Sequence, residues 1–153
     1  MPISFLQRLQ ELAGPAVNKI VGAGGPDAAS AERLLRQVLA GLPELLGAAV
    51  ADAGSGQVLA SYTTAREFSL SKAMVFHAEA LRQQHRALAA LEPGSGQQVQ
   101  EMVVTLASQL HLLRVLPGGQ QLVCVAVDAR DTSLGIAREV LRACEDEQLG
   151  AAQ

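Results

Sequence analysis

Apolar residues recur at helical spacing in three long segments of the chain. The first covers residues 30–42, where Ser30 is placed to cap the helix. The second covers residues 69–91, and the third opens near Asp131 or Ser133. These spacings predict three helices, of which the second is the longest. Its apolar stripe is formed by Leu70, Met74, His77, Leu81, Leu88 and Leu91.

Short apolar runs separated by turn residues predict five strands. Residues 46–51 and 58–62 flank the Gly-rich segment 52–57, which is typical of a β-hairpin. Three further runs occupy residues 99–106, 110–116 and 122–127. The connections between them are too short for anything but antiparallel neighbours. The last run is apolar on both faces, which requires a layer above and a layer below the sheet.

The order of these elements predicts an α/β sandwich of the α+β class. A five-stranded antiparallel sheet lies between the long central helix and the flanking helices. Residues 3–21 also carry apolar side chains near helical spacing, and Gly14-Pro15 divides them into two short helical pieces. The chain is thus divided into an N-terminal helical extension with a Gly-rich linker (1–27), one domain (28–147) and a C-terminal tail (148–153).

Composition narrows the classes of function. Apolar residues make up 49% of the 153 residues and charged residues 18%, which suits a packed domain rather than a disordered chain. The net charge of −3 and the small number of aromatic residues disfavour a nucleic-acid partner. Two cysteines, with no secretory signal and no membrane-spanning run, predict a cytoplasmic protein without a membrane partner.

The reactive residue types show no catalytic or metal-binding arrangement. His77 and His85 lie on the long helix without an acidic or cysteine partner at suitable spacing, and His111 lies between leucines on a strand. Cys124 and Cys144 fit small buried hydrophobes. The glycine-rich segments lack the Lys-Ser/Thr of a phosphate-binding loop. We therefore predict neither enzyme activity nor a cofactor.

The element order and three local strings resemble the Roadblock/dynein-light-chain family, including its bacterial MglB-like members. The strings are residues 42–50 at the entry to the first strand, 52–61 in the first hairpin and 133–138 at the opening of the last helix. The likeness covers about residues 30–147. The sequence departs from the family at Glu44-Leu45, where members often have Gly-Val. It also departs in its first 25 residues, which the core domain does not require.

The resemblance implies a profilin-like fold and a homodimer that binds and regulates a small Ras-like GTPase. In the family, the long helix lies at the dimer seam and GTPases dock around it. In and just before this helix the basic residues, which include Arg66, outnumber Glu67 and Glu79. Such a surface is either a solvated helix face or the polar rim of a partner surface. The residues predicted to bind the partner are Lys72, Phe76, Arg82 and Arg86.

The strand predicted over residues 99–106 is apolar enough to invite pairing with a second chain. In the resembled family, this strand pairs with its twin across the dimer. The residues predicted at the dimer interface are Met74, His77, Val99, Met102, Val103 and Val104. An N-terminal segment that folds back over this strand is the alternative cover. The alternative function is a structural scaffold subunit of a multiprotein assembly without a GTPase partner.

Overall fold

The computed structural model describes residues 16–151, with side chains through residue 150. In chain order this part contains β1 (Val21–Gly22), α1 (Pro26–Gly41), β2 (Gly47–Asp52), β3 (Val58–Thr63), α2 (Leu70–Leu91), β4 (Glu101–Thr105), β5 (Gln109–Val115), β6 (Gln121–Asp128) and α3 (Leu134–Ala151). The three predicted helices and five predicted strands are all present. None of the helices in this described part is both long and apolar enough to cross a membrane.

The strands form one sheet in the order β1-β3-β2-β6-β5-β4, and every neighbouring pair is antiparallel. The sheet has six strands rather than the predicted five because β1 adds to the outer side of β3. Val21 pairs with Ser61 in this short strand. Asn18 extends the contact, since its N–H donates to the Thr63 carbonyl (2.8 Å).

This pairing corrects the prediction for the N-terminal segment. The first of the two predicted helical pieces lies outside the described residues. The second is wrong, because residues 16–20 form no helix and Val21 lies in a strand. The free edge of β3 offers backbone hydrogen-bond partners, and Val21, Gly22 and Ala23 lie along this edge instead of forming a helix.

Helices cover both faces of the sheet, as predicted. On one face α1 and α3 bury residues such as Leu35, Val38 and Leu141. On the other face α2 buries Met74 and Leu81. Successive side chains of β6 enter the two cores alternately. The continuous apolar run of this strand is therefore buried only because helices cover both faces of the sheet.

Three helix details differ from the sequence interpretation. Helix α1 begins at Pro26 with Gly25 as its N-cap, so Ser30 lies inside the helix and does not cap it. Proline suits the first helical position because its missing N–H would have no partner there. Leu91 is 81% exposed and does not belong to the buried stripe of α2. Helix α3 continues through Ala151, into the segment predicted as a tail.

Candidate interaction surface

Helix α2 presents three stripes of side chains, because residues three and four positions apart share one side of a helix. The buried stripe consists of Leu70, Met74, Ala78 and Leu81. The outer stripe consists of Ala73, Phe76, Ala80, Gln83, Ala87 and Leu91. The charged stripe consists of Lys72, Val75, Glu79, Arg82 and Arg86. The buried stripe packs on the sheet, and the other two face away from the core.

The outer stripe is a largely exposed surface that is apolar except at Gln83. Phe76 is 73% exposed and Leu91 is 81% exposed, whereas the residues between them on this stripe are mostly alanines. Small side chains let a second helix approach closely, because the distance between packed helices depends on the side chains at the contact. A large exposed aromatic flanked by alanines is therefore a surface suited to helix packing.

Strand β4 is an edge of the sheet, since it pairs only with β5 among the described strands. The N–H of Leu106 donates to the Gln109 carbonyl (2.9 Å). The N–H of Val115 donates to the Gln100 carbonyl (3.0 Å). Because antiparallel pairing alternates along a strand, even-numbered residues of this segment bond to β5. The residues whose backbone N–H and C=O point to the free edge are Glu101, Val103 and Thr105.

The outer stripe and the β4 edge lie on the same side of α2. His77, next to the outer stripe, lies close to His111 of β5, and His111 is directly opposite Val104 of β4. Burial lowers the pKa of both histidines, and the neighbouring His111 lowers that of His77 further. The Nε2 atom of His77 is buried without a hydrogen-bond partner among the described residues.

Four charged side chains near β4 are bound to one another rather than free for a partner. Arg114 of β5 contacts Glu101 of β4 (3.2 Å) and also pairs with Glu145 of α3. The Nε of Arg138 donates to Glu101 (2.7 Å). The hydrogen bond to Glu145 is the main reason that the pKa of Arg114 is raised. This network ties α3 to the edge strand and holds β4 in position.

The charged stripe is attached to the turn between β2 and β3 (residues 53–57, the β2–β3 turn). Arg82 donates from Nη1 to the Gly54 carbonyl and from Nε to a Glu79 carboxylate oxygen (3.0 Å). The hydrogen bond from Arg82 is also the main reason that the pKa of Glu79 is lowered. Gly56 has φ of 75°, and a Cβ there would lie 2.5 Å from the Cα of Val75. Only glycine lets the turn sit this close to the helix.

Solved structures share this architecture. Myxococcus xanthus MglB superposes with a TM-score of 0.60 at 20% identity, covering 79% of this chain and 83% of that one. A structure described as MglB with a tetrameric arrangement gives 0.60 at 21% identity, with 78% and 87% covered. The Roadblock/LC7 domain from Streptomyces avermitilis gives 0.56 at 15% identity, with 85% and 100% covered. This chain has the Roadblock/LC7 fold.

The predicted resemblance to the Roadblock family is thus confirmed at the level of the fold. No protein-family profile matches the sequence, and no curated protein sequence matches it.

The residues predicted to bind a partner fall on two different stripes of the Roadblock/LC7 helix α2. Lys72 and Arg86 are exposed on the charged stripe and form no ion pair within residues 16–151. Arg82 is half-buried and already occupied by Gly54 and Glu79. Phe76 lies on the outer stripe, apart from these cations. The sequence did not indicate that the β2–β3 turn is part of this surface. That role is visible only from the contacts that the turn makes with α2.

The residues predicted at the dimer interface differ in how exposed they are and in which of the two cores they contact. Val104 is 38% exposed at the edge, and Val103 packs against the core under α1 and α3. Val99 and Met102 pack against the core under α2. Met74 has no exposed surface, so its side chain belongs to the core and not to a contact surface. His77 is half-buried beside the edge.

The other reactive groups remain structural. Burial raises the pKa of the Cys124 thiol to about 12 and also raises the pKa of Cys144. Both thiols are therefore protonated at neutral pH and poorly nucleophilic. His85 accepts a hydrogen bond from the Val99 N–H (3.2 Å), which fastens the return from α2 to β4. Within the described residues, no three His, Cys, Asp or Glu side chains are grouped to hold a metal ion.

Proposed function

We propose that this chain is a non-catalytic, dimeric interaction module that binds and regulates a small Ras-like GTPase. The observation that carries the proposal is the position of an exposed apolar helix stripe beside an open strand edge. Apolar surface of this kind marks sites of protein association, and an open edge is a template for another strand. Both features belong to a chain whose two cysteine thiols are buried and whose His77 and His111 are half-buried, with pKa values lowered by that burial.

The proposed dimer joins two β4 strands in antiparallel pairing about a two-fold axis at Val103. Val103 then faces Val103 of the second copy, and Glu101 faces Thr105, since these residues hold the outward backbone groups. This register uses every outward N–H and C=O of β4. It also leaves the Glu101 side chain in its network with Arg114. The two sheets become continuous, and neither β4 edge remains open.

The same two-fold axis brings the outer stripes together. Phe76 and the alanines lie on the side of α2 nearest β4, so the helices of the two copies approach across the seam. Burying a large aromatic side chain contributes roughly 1.5–3 kcal/mol. Self-association is in keeping with the tetrameric arrangement named for one MglB structure of the same fold.

The charged stripe stays accessible in this dimer. It lies on the side of α2 next to the β2–β3 turn, away from the β4 edge. The Roadblock family, which this sequence resembles, repeatedly partners Ras-like GTPases, and this supports a GTPase as the partner here. The chain lacks a phosphate-binding loop, so the nucleotide would belong to the partner.

The test uses the purified full chain and purified Ras-like GTPases encoded in the same genome. Each GTPase is loaded with GDP or with a non-hydrolysable GTP analogue, and binding is measured by calorimetry. We expect one GTPase to bind, with an affinity that depends on the nucleotide. A stable dimer that binds none of them in either state contradicts the GTPase assignment and supports the scaffold alternative.

A further inference from the structure

We infer that residues 3–13 pack in cis against a shelf at the β1 edge of the sheet, beside the point where the described residues begin. The shelf is defined by Val21 of β1 and by Ser71 and Val75 on the side of α2 that faces β1. Its occupant is the N-terminal segment of the same chain and not a second protein. The inference does not rest on the proposed function, because the chain covers the shelf whether or not a GTPase binds.

The first described residue lies at the start of α2. Ala16 lines a crevice of about 110 Å³ together with Val21 of β1 and Ser71 of α2, and Ser61 of β3 lines it from the sheet. The chain that precedes Ala16 therefore starts from the gap between β1 and α2. This gap is at the edge of the sheet opposite β4.

Two apolar side chains beside this crevice are only partly covered by the described residues. Val21 is 45% exposed and Val75 is 48% exposed. Val75 lies about one helical turn beyond Ser71, so both are on the same side of α2. Ser61 and Ser71 are small, which lets a further segment approach closely. The shelf thus offers apolar contacts together with room for a helix.

Residues 3–13 carry the sequence pattern that such a surface requires. In a helix, the large apolar residues of this segment fall mainly on one side, and polar residues occupy the other. The apolar side consists of Phe5, Leu6, Leu9 and Leu12. The polar side consists of Ser4, Gln7 and Glu11. An isolated helix of this length is only marginally stable in water, so its apolar side needs a surface to pack against.

The short connection favours the shelf over the β4 edge. Gly14-Pro15 interrupts the helical pattern next to Ala16 and allows the chain to turn back toward α2. A helix over residues 3–13 is about 16 Å long, whereas Ser71 and Val75 are about 6 Å apart along α2. The β4 edge is roughly 24 Å from β1, and α2 lies between them over β2, β3 and β6. The segment reaches the shelf without crossing α2, so it does not serve as the cover of β4.

The experiment measures amide hydrogen exchange in the full chain by mass spectrometry. The amides of residues 5–13 should exchange roughly tenfold or more slowly than those of a free peptide of the same sequence. Leu6→Glu with Leu9→Glu places two charges on the apolar side of the segment and should remove this protection. The matched control, Ser4→Glu with Gln7→Glu, adds the same two charges on the polar side and should leave the protection in place.

Changes on the shelf test where the segment packs. Val75→Gln should speed the exchange of residues 5–13. Ile136→Gln, which replaces a similarly exposed apolar residue on α3, should leave it unchanged. Phe76→Gln, next to Val75 in the chain but on the outer stripe, should also leave it unchanged. All three sites are about half-exposed or more, so circular dichroism should show the variants folded.

Exchange at the free-peptide rate in the unaltered chain contradicts the inference. So does protection that survives Val75→Gln, and its loss in Phe76→Gln instead would place the segment on the outer stripe. Protection that disappears on dilution would assign the contact to a second copy of the chain and would contradict packing in cis. None of these outcomes depends on whether a GTPase binds, so the proposed function is tested separately.

Discussion

Arg82 in the middle of α2 donates a hydrogen bond to the carbonyl of Gly54 in the β2–β3 turn. This contact joins two segments that are 28 positions apart in the chain. Removing it should release the turn while leaving the helix folded. Arg82→Met keeps the apolar stem and removes the donors, and we expect it to lower the free energy of unfolding by roughly 1–2 kcal/mol.

Hydrogen exchange measures the local effect of Arg82→Met. The amides of residues 54–57 should exchange faster, whereas those of β6 should be unchanged. Arg86→Met is the matched control, because Arg86 is exposed and forms no ion pair within the described residues. Equal protection of the turn in both variants would show that Gly56 packing alone holds it.

Val103→Pro tests the proposed pairing of β4. Its N–H points to the free edge, so proline there spares the hydrogen bonds with β5 and blocks those with a second copy. We expect sedimentation at micromolar concentration to show a monomer with an unchanged circular dichroism spectrum. Val104→Pro should instead unfold the chain, because its N–H is directed at β5.

Val103→Ala is the side-chain control for this pair, and it should remain a dimer because it keeps the N–H. A Val103→Pro protein that stays dimeric would place the seam elsewhere, for example on the outer stripe alone.

Phe76→Gln tests the outer stripe. Phe76 is 73% exposed, so the monomer should lose little stability, and glutamine favours a helix at least as well. Loss of its burial in the dimer should raise the dissociation constant by roughly ten- to a hundredfold. Ile136→Gln, which removes a 54% exposed apolar residue from α3, should leave the dimer intact. Equal effects of the two changes would mean that exposed apolar area in general drives association.

The His77 and His111 pair predicts how stability depends on pH. Burial lowers both pKa values from 6.5, so the unfolded chain takes up protons more readily than the folded one. The contribution of these two histidines to the free energy of unfolding is therefore greatest above pH 6.5. It falls as the pH drops toward their folded-state pKa values. Denaturant titrations on both sides of this pH should show the loss.

His77→Gln removes one of the two groups and should reduce the dependence on pH, while Arg142→Gln should leave it unchanged because arginine does not titrate in this range. His77→Leu should also raise stability at neutral pH, since it removes a buried nitrogen without a hydrogen-bond partner. A pH dependence that is the same in His77→Gln and the unaltered chain would assign the effect to other groups.

Local patterns in the sequence were sufficient for most of the fold. Helix α2 spans Leu70–Leu91 against a predicted 69–91, because its apolar spacing is set within the helix itself. The hairpin of β2 and β3 was predicted for the same reason. Strand β1 could not be predicted, since two residues carry no periodicity and Val21 is extended only because β3 offers a partner.

The candidate site was only partly predictable. The exposure of Phe76 follows from its position opposite the buried stripe. Met74 lies within that buried stripe, and its apolar character alone did not distinguish a core position from a seam position. The contact of Arg82 with Gly54 depends on where the turn lies above the helix, which is a property of the tertiary structure.

The strand order also determines the dimensions of the proposed assembly. Strand β1 and strand β4 occupy opposite edges of the six-stranded sheet. Two copies joined at β4 would place their β1 strands at the far ends of one continuous sheet, roughly 50 Å apart for strands spaced about 4.8 Å from each other. Each dimer would thus be a rigid spacer that holds its two β1 strands, and any molecules bound to them, at a fixed distance from each other.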